Sequence, residues 1–155
     1  MYPDTYQNKE DDESVYWFSS PFDALNNWSA HALDVYGSNF HTLEHAYHYK
    51  KFIDKHPEIA ELIKKSPSPW AAMKIAKTNS KLVRTDWDDV KVSIMQYLVQ
   101  VKLEQNVDVQ QILAKTGARE IVENSPWDSF WGCGPDGKGE NTMGKIWMKV
   151  RGDGK

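Results

Sequence analysis

The chain has 155 residues, a formal net charge of −3 and a single cysteine, Cys133. That length fits one domain and buries roughly 70% of the surface its unfolded chain would expose, so folding requires neither disulfide nor metal. One cysteine excludes an intrachain disulfide and suits a reducing compartment; the charge argues against a dedicated nucleic-acid binder, and no stretch reaches the ~18 apolar residues of a membrane span.

Residues 1–14 hold no apolar core of a signal peptide. They read as a flexible acidic tail carrying Asp4, Glu10, Asp11, Asp12 and Glu13. The expectation is a cytoplasmic or nuclear protein with no membrane partner. Residues 15–155 read as one domain without repeats or linkers. Val15 to Phe18 predicts a short strand, Ser19 to Ala32 a turn-rich stretch, and Leu33 to Tyr36 a second strand ended by Gly37-Ser38. Thr42 then predicts an N-cap, with Glu44 in the first turn of a helix running to about Lys55, because His56 precedes a proline. Pro57 starts a second helix and Ser68-Pro69 a third. A fourth, from near Thr85, carries an apolar stripe of Val90, Ile94, Leu98 and Val101. Asp108 is read as the cap of a shorter helix ending at Thr116-Gly117, and Ile121-Val122 as a short strand. A glycine-rich loop from Trp131 leads to Asn141, the expected cap of a last helix with Met143, Ile146, Trp147 and Val150 inward. The fold class is therefore mainly α (α+β), a compact multihelical domain with a few short strands.

Two compositional features bear on function. Residues 62–85 contain no acid but carry Lys64, Lys65, Lys74, Lys77, Lys81 and Arg84. Such a block either receives phosphate or is a solvated helical face balanced by acids elsewhere. The seven tryptophans suit stacking on bases and sugars, but for any one of them a place in the core is the favoured reading.

The densest set of reactive groups lies between His41 and Lys51. Glu44, His48 and Lys51 are spaced i, i+4, i+7 and share one helix face. An acid, an imidazole and an amine suit proton transfer or Schiff-base chemistry; on spacing alone a solvated helix with an ordinary Glu–Lys ladder is the favoured description. His41, His45 and His48 invite a metal reading, but no fourth ligand with zinc spacing follows, and neither metal nor other cofactor is expected. The glycine-rich loop could line a phosphate or ribose with its amides or be a surface loop with an Asp136-Gly137 turn. It is not a P-loop.

Several segments, in order, resemble the NADAR family, also called YbiA-like. Leu-Asn-Asn-Trp28 is similar to the family's Ser-Asn-Trp/Phe segment. Thr42-Leu-Glu-His-Ala-Tyr47 followed by Lys51-Phe52 resembles its Glu-His-Ala-Tyr-Gln helix. Arg84-Thr-Asp-Trp87 is similar to its Arg-x-Asp-Trp turn. Met95, Lys102, Gln105, Thr116-Gly117 and Val122-Glu123 follow in the expected order. Asp128-Ser-Phe-Trp-Gly-Cys-Gly134 resembles its Asp-x-x-Trp-Gly-x-Gly loop, and Gly139-Glu-Asn141, Gly144 and Met148-Lys-Val-Arg151 close the match. One departure is His48, where the family usually has glutamine.

The resemblance implies hydrolysis of an N-glycosidic bond between ribose C1′ and an exocyclic amine on a guanine-like ring. Two substrates share that core: ADP-ribosylated guanine, in nucleic acid or as a nucleotide, and the phosphorylated ribosylamino-pyrimidinones of early riboflavin synthesis. The first would pair the protein, as an antitoxin, with a DNA ADP-ribosyltransferase toxin. Expected catalytic residues are Glu44 as general acid and base, Lys51 as nucleophile with Lys50 or His48 as the cation lowering its pKa, and Asp128 as a second carboxylate; the alternative route is direct displacement, with Glu44 or Asp128 activating water against an oxocarbenium-like centre. Expected binding residues are Asn27, Trp28, His48, Arg84 for phosphate, Trp87 or Trp131 for stacking, Gly132 and Asn141. A non-catalytic ADP-ribose-binding module and a histidine-based metal hydrolase are the competing classes.

Overall fold

The structure is a computed structural model that describes residues 10–17 and 22–153. In chain order its elements are β1 (Ser14–Tyr16), β2 (Leu33–Val35), β3 (Ser38–Phe40), α1 (Leu43–Lys50), α2 (Pro57–Lys65), α3 (Pro69–Thr78), α4 (Trp87–Gln105), α5 (Val107–Lys115), β4 (Glu120–Val122) and α6 (Thr142–Arg151). The mainly helical expectation holds. No helix among the described residues is long and apolar enough to cross a membrane. Phe18 at the end of the first expected strand, residues 19–21 of the turn-rich stretch and Asp4 of the acidic tail lie outside the described residues. The chain divides into two compact units, residues 27–105 and the pair of segments 1–26 and 106–155.

The 27–105 unit opens on an antiparallel hairpin, with Val35 opposite Ser38 and Leu33 opposite Phe40. Its turn residues Tyr36 (φ 55°) and Gly37 (φ 73°) are both left-handed, the backbone that lets two residues close a twisted hairpin. Gly37-Ser38 was expected to end a strand; instead the turn sits one residue earlier and Ser38 begins β3. Helices α1, α2 and α3 pack against one another, and α4 packs on α1 and β2. Leu33, Phe40, Leu43, Ala46, Phe52, Ile63, Ala72 and Leu98 are buried in this unit.

Thr42 caps α1 as expected, its hydroxyl accepting from the His45 amide. The helix is shorter than the spacing predicts. It stops at Lys50, and residues 51–55 are turns. The Lys51 carbonyl accepts from the Arg84 amide at 3.1 Å rather than from the next helical turn, so a tertiary bond overrides the local signal. Pro57 and Pro69 open α2 and α3 as expected, with Ser68 accepting from Ala71. On α4 the fully buried face is Met95, Leu98, Val99, Val101 and Lys102, while Val90 and Ile94 are half-buried. Lys102 is completely enclosed and donates to the Ser29 hydroxyl at 2.7 Å.

In the other unit β1 and β4 pair in parallel, Val15 opposite Ile121. Residues 10–14, read from sequence as the end of a loose tail, are tied in. Arg119 Nη1 donates to Glu10 at 2.6 Å, and the Glu120 amide to the Glu13 carbonyl at 2.8 Å. Trp17, Ile121, Met143 and Trp147 form its core, and the Trp147 indole donates to the Leu25 carbonyl. Gly144 lets α6 lie directly on β4, since a Cβ there would stand 2.0 Å from the Ile121 carbonyl oxygen. Two expected caps differ. α5 starts at Val107, so Asp108 lies in its first turn, where its charge favours the helix dipole. Asn141 precedes α6 in a left-handed conformation and makes no side-chain cap bond, because its amide bridges the Glu123 N–H and the Ile121 carbonyl, each at 2.9 Å.

His45 gives the fold a pH dependence. Its Nε2 lies 3.1 Å from the Ser66 carbonyl, which can only accept, so Nε2 carries the proton and Nδ1 accepts from the Thr42 hydroxyl at 2.8 Å. Burial first of all, against a raising contribution from Ser66, holds the imidazole below its ordinary 6.5. The unfolded chain therefore binds this proton at higher pH than the folded one, and stability falls as pH drops below about 6.5. Urea midpoints should fall between about pH 7 and pH 5.5, and His45→Gln should flatten that slope. An unchanged slope in the variant would remove His45 as its source.

Candidate active site

The reactive face of α1 is enclosed, not solvated. The Glu44 side chain is only 13% exposed, and its Oε1 lies 2.8 Å from His48 Nε2. Its backbone N–H donates to the Asn27 carbonyl at 3.1 Å, and the Trp28 indole donates to its carboxylate. Two sequence-predicted binding residues thus converge on the candidate catalytic acid. Burial pushes the Glu44 carboxyl up, but His48, Lys51 and the Trp28 bond together outweigh it and hold the group below the ordinary carboxylate range. Glu44 is therefore ionised at neutral pH and begins as a base. His48 Nδ1 is buried without a hydrogen-bond partner.

Lys51 is the C-cap of α1, so its side chain leaves the helix at the turn where regular geometry ends. Its Nζ stands 5.2 Å from the Tyr47 ring centroid and 5.5 Å from that of Trp87, and the two rings lie 5.0 Å apart. Burial is the main force lowering the amine's pKa; Glu44 opposes it and Lys91 assists. The assisting cation is thus Lys91, one turn along α4 from Trp87, and not Lys50 or His48. Lys50 lies over the Tyr36 ring at 4.7 Å, and His48 is committed to Glu44.

Sequence reasoning missed Tyr47 and Lys91. Tyr47 stands four residues before Lys51, a spacing that already put both on one face. Lys91 comes from a distant helix and had no local signal.

The remaining predicted residues divide. Asn27 is buried and its Nδ2 lies 3.6 Å from Met95 Sδ. Trp87 is buried at the start of α4, whereas Trp28 is 39% exposed. Arg84 makes a two-pronged contact with Asp86 at 2.6 and 2.8 Å and lies 3.5 Å from Asp54, so a phosphate would have to compete with those carboxylates. Asp128, Trp131, Gly132 and Asn141 belong to the other unit. There Asp128 Oδ1 accepts from the Phe130 and Trp131 amides at 2.9 and 2.8 Å, and Trp131 packs edge-on against Phe130.

The amides of the glycine-rich loop point inward. Those of Cys133, Gly134, Gly139, Glu140 and Asn141 donate to carbonyls within the unit, and that of Lys138 to Asp136. A Cβ on Gly132 would meet the Glu123 carbonyl at 2.8 Å. The loop's glycines serve its own close packing, which favours the structural reading of the two left open by sequence. Both ring nitrogens of His45 are bonded within the fold, His48 Nε2 faces Glu44, and among the described residues no group of three metal-type ligands converges.

A NADAR domain matches residues 6–153. The chain belongs to the NADAR family. An N-glycosidase of Nostoc punctiforme is 36% identical over 141 residues, covering 89% of this chain and 90% of that protein. The chloroplastic riboflavin biosynthesis protein PYRR of Zea mays is 33% identical over 143 residues, covering 84% of this chain and 23% of that longer protein. The NMR structure of the E. coli protein YbiA superposes with a TM-score of 0.80 at 29% identity, covering 94% of this chain and 86% of that one. Its fold is thus the YbiA-like NADAR fold, and as a NADAR protein the chain is an enzyme of the N-glycosyl hydrolase class.

Proposed function

We propose that this NADAR protein hydrolyses the bond between ribose C1′ and an exocyclic amine of a guanine-like base, and that its substrate is ADP-ribosylated guanine. The observation that carries the chemistry is the buried α1 face. It places an ionised carboxylate, Glu44, within electrostatic reach of an amine, Lys51, that burial drives toward its neutral form. A pure binding module needs neither.

With a solvent proton taken up at O4′, the ribose opens to a protonated imine at C1′. The neutral Lys51 amine adds to C1′ while Glu44 takes the proton it sheds. The same carboxyl then returns that proton to the departing exocyclic nitrogen, leaving the base as a free amine and the sugar as a lysine Schiff base. Water adds to C1′, Glu44 again moves the proton, and the lysine leaves as the sugar aldehyde is released. Trp28 and Asn27 frame the carboxylate, Trp87 walls the amine, and Arg84 is the phosphate ligand once released from Asp86. Asp128 is proposed as a second carboxylate, and Trp131, Gly132 and Asn141 as substrate-binding residues. This activity would reverse a transferase that attaches ADP-ribose to guanine.

A second reading has a specific basis. The Zea mays relative is named for riboflavin biosynthesis, so a ribosylamino-pyrimidinone phosphate is the alternative substrate at the same site. Offering both compounds to the purified protein and identifying products by mass spectrometry separates the two: ADP-ribose plus guanine supports the first, ribose phosphate plus pyrimidinone the second, and neither product overturns the proposal.

The role of His48 is testable here. His48→Ala removes a donor that lowers the Glu44 pKa, so the acid limb of the pH–rate profile should move to higher pH and kcat/KM should fall about tenfold, the scale of one charge-assisted hydrogen bond. His48→Gln, which keeps a donor of similar reach, should restore both. A profile identical in wild type and His48→Ala would show that the bond does not tune Glu44.

A further inference from the structure

The acid-free block of the sequence resolves into two different surfaces. On α2, Lys64 and Lys65 share one carboxylate partner, Glu61, at 3.0 and 3.4 Å. On α3 and the turn after it, Trp70, Lys74, Lys77 and Lys81 follow at intervals of four, three and four residues. The first three lie along one stripe of the helix, and Lys81 continues it in the single 3-10 turn Ser80–Leu82. All four are exposed, Trp70 to 53%, an unusual extent for the largest apolar side chain. Lys74 Nζ stands 4.8 Å from the Trp70 ring. None of the three lysines has a carboxylate partner among the described residues. From Trp70 to Lys77 the stripe covers about 10 Å at 1.5 Å per residue.

We infer that this stripe is a docking surface for single-stranded nucleic acid, with Trp70 stacking an unpaired base and Lys74, Lys77 and Lys81 meeting successive phosphates. An aromatic ring beside a line of cations is the combination that tracks a strand without reading its sequence. A duplex offers the ring no open base face. An anionic bilayer would be met by an apolar collar, yet the exposed residues of α3 are Trp70, Lys74, Lys77 and Thr78, and the turn that carries Lys81 adds one exposed aliphatic side chain, Leu82. The net charge of −3 makes the contact weak and local, as suits a surface that presents a modified base to a separate catalytic face. The inference deepens the nucleic-acid form of the proposed substrate and rests on it.

The test is fluorescence anisotropy of a labelled oligothymidylate titrated with the full chain. Wild type should bind with a log–log salt slope of about −2, as expected for three phosphate contacts on a single strand. The triple variant Lys74→Glu/Lys77→Glu/Lys81→Glu and, separately, Trp70→Ala should each weaken binding about tenfold or more, with thermal melting points unchanged. Both variants should keep wild-type glycosidase activity on a mononucleotide-sized ADP-ribosyl-guanine and lose it only on a modified oligonucleotide. Equal binding by wild type and variants, no binding by wild type, or binding to phosphatidylserine vesicles in place of the oligonucleotide would each overturn the surface. A wild type that binds the oligonucleotide through these residues but cleaves no ADP-ribosyl-guanine would sink the proposed reaction and leave the surface standing.

Discussion

Lys51→Ala is expected to lower kcat/KM by about 10³-fold or more, the scale on which removal of a nucleophile is felt when the rest of a site is intact. The reason lies in the surroundings of the amine. An exposed lysine is almost wholly protonated at pH 7 and attacks nothing. Here burial against Tyr47 and Trp87 disfavours the ammonium, and Lys91 adds repulsion. Activity should therefore rise with pH through the lowered lysine pKa and level off above it. Lys51→Arg should be as inactive as Lys51→Ala, because a guanidinium keeps the charge and cannot lose its proton. Lys91→Gln removes the repelling cation, so the Lys51 pKa rises and the limb moves to higher pH. Initial rates from pH 5 to pH 10 on the three variants check all of this. Near-wild-type rates in Lys51→Ala would mean that water attacks C1′ directly.

Glu44→Gln is expected to cost about 10²–10⁴-fold, the range for a positioned acid–base group. The exchange is nearly isosteric, so the hydrogen bond from His48 and the backbone bond to Asn27 should survive and the melting point should change little. A second consequence follows from sign. Glu44 is the group that raises the Lys51 pKa against burial. Without its charge the lysine loses its proton at lower pH, and the limb assigned to Lys51 should shift downward while the plateau falls. A lower plateau with an unmoved limb would mean that the two groups do not sense each other.

These expectations could be framed from sequence only in part. The α1 face was legible because its information is local: Thr42 caps, and the i, i+4, i+7 spacing fixes which side chains coincide. Whether that face was a solvated ladder or a buried site was not legible, because burial comes from Trp28, Tyr47 and Trp87 and from packing between α1 and α4. The cation beside Lys51 was misassigned for the same reason: sequence neighbours were the available candidates, and Lys91 arrives through tertiary structure. The end of α1 was misplaced because the bond from Arg84 to the Lys51 carbonyl competes with helix propagation and leaves no mark near residue 51. In the glycine-rich loop, composition alone could not tell amides that wait for a phosphate from amides already bonded at home. The histidines divide along the same line. His45 is a structural tie from Thr42 to Ser66, and His48 is a donor to Glu44, roles that depend on what each ring nitrogen faces.

The most direct test of the account is chemical trapping. The protein is incubated with ADP-ribosyl-guanine in the presence of sodium borohydride, and its intact mass and tryptic peptides are read by mass spectrometry. The account predicts a stable sugar adduct on the peptide containing Lys51, dependent on both substrate and borohydride and absent from Lys51→Ala. Full turnover with no adduct, or an adduct confined to another lysine, would contradict it.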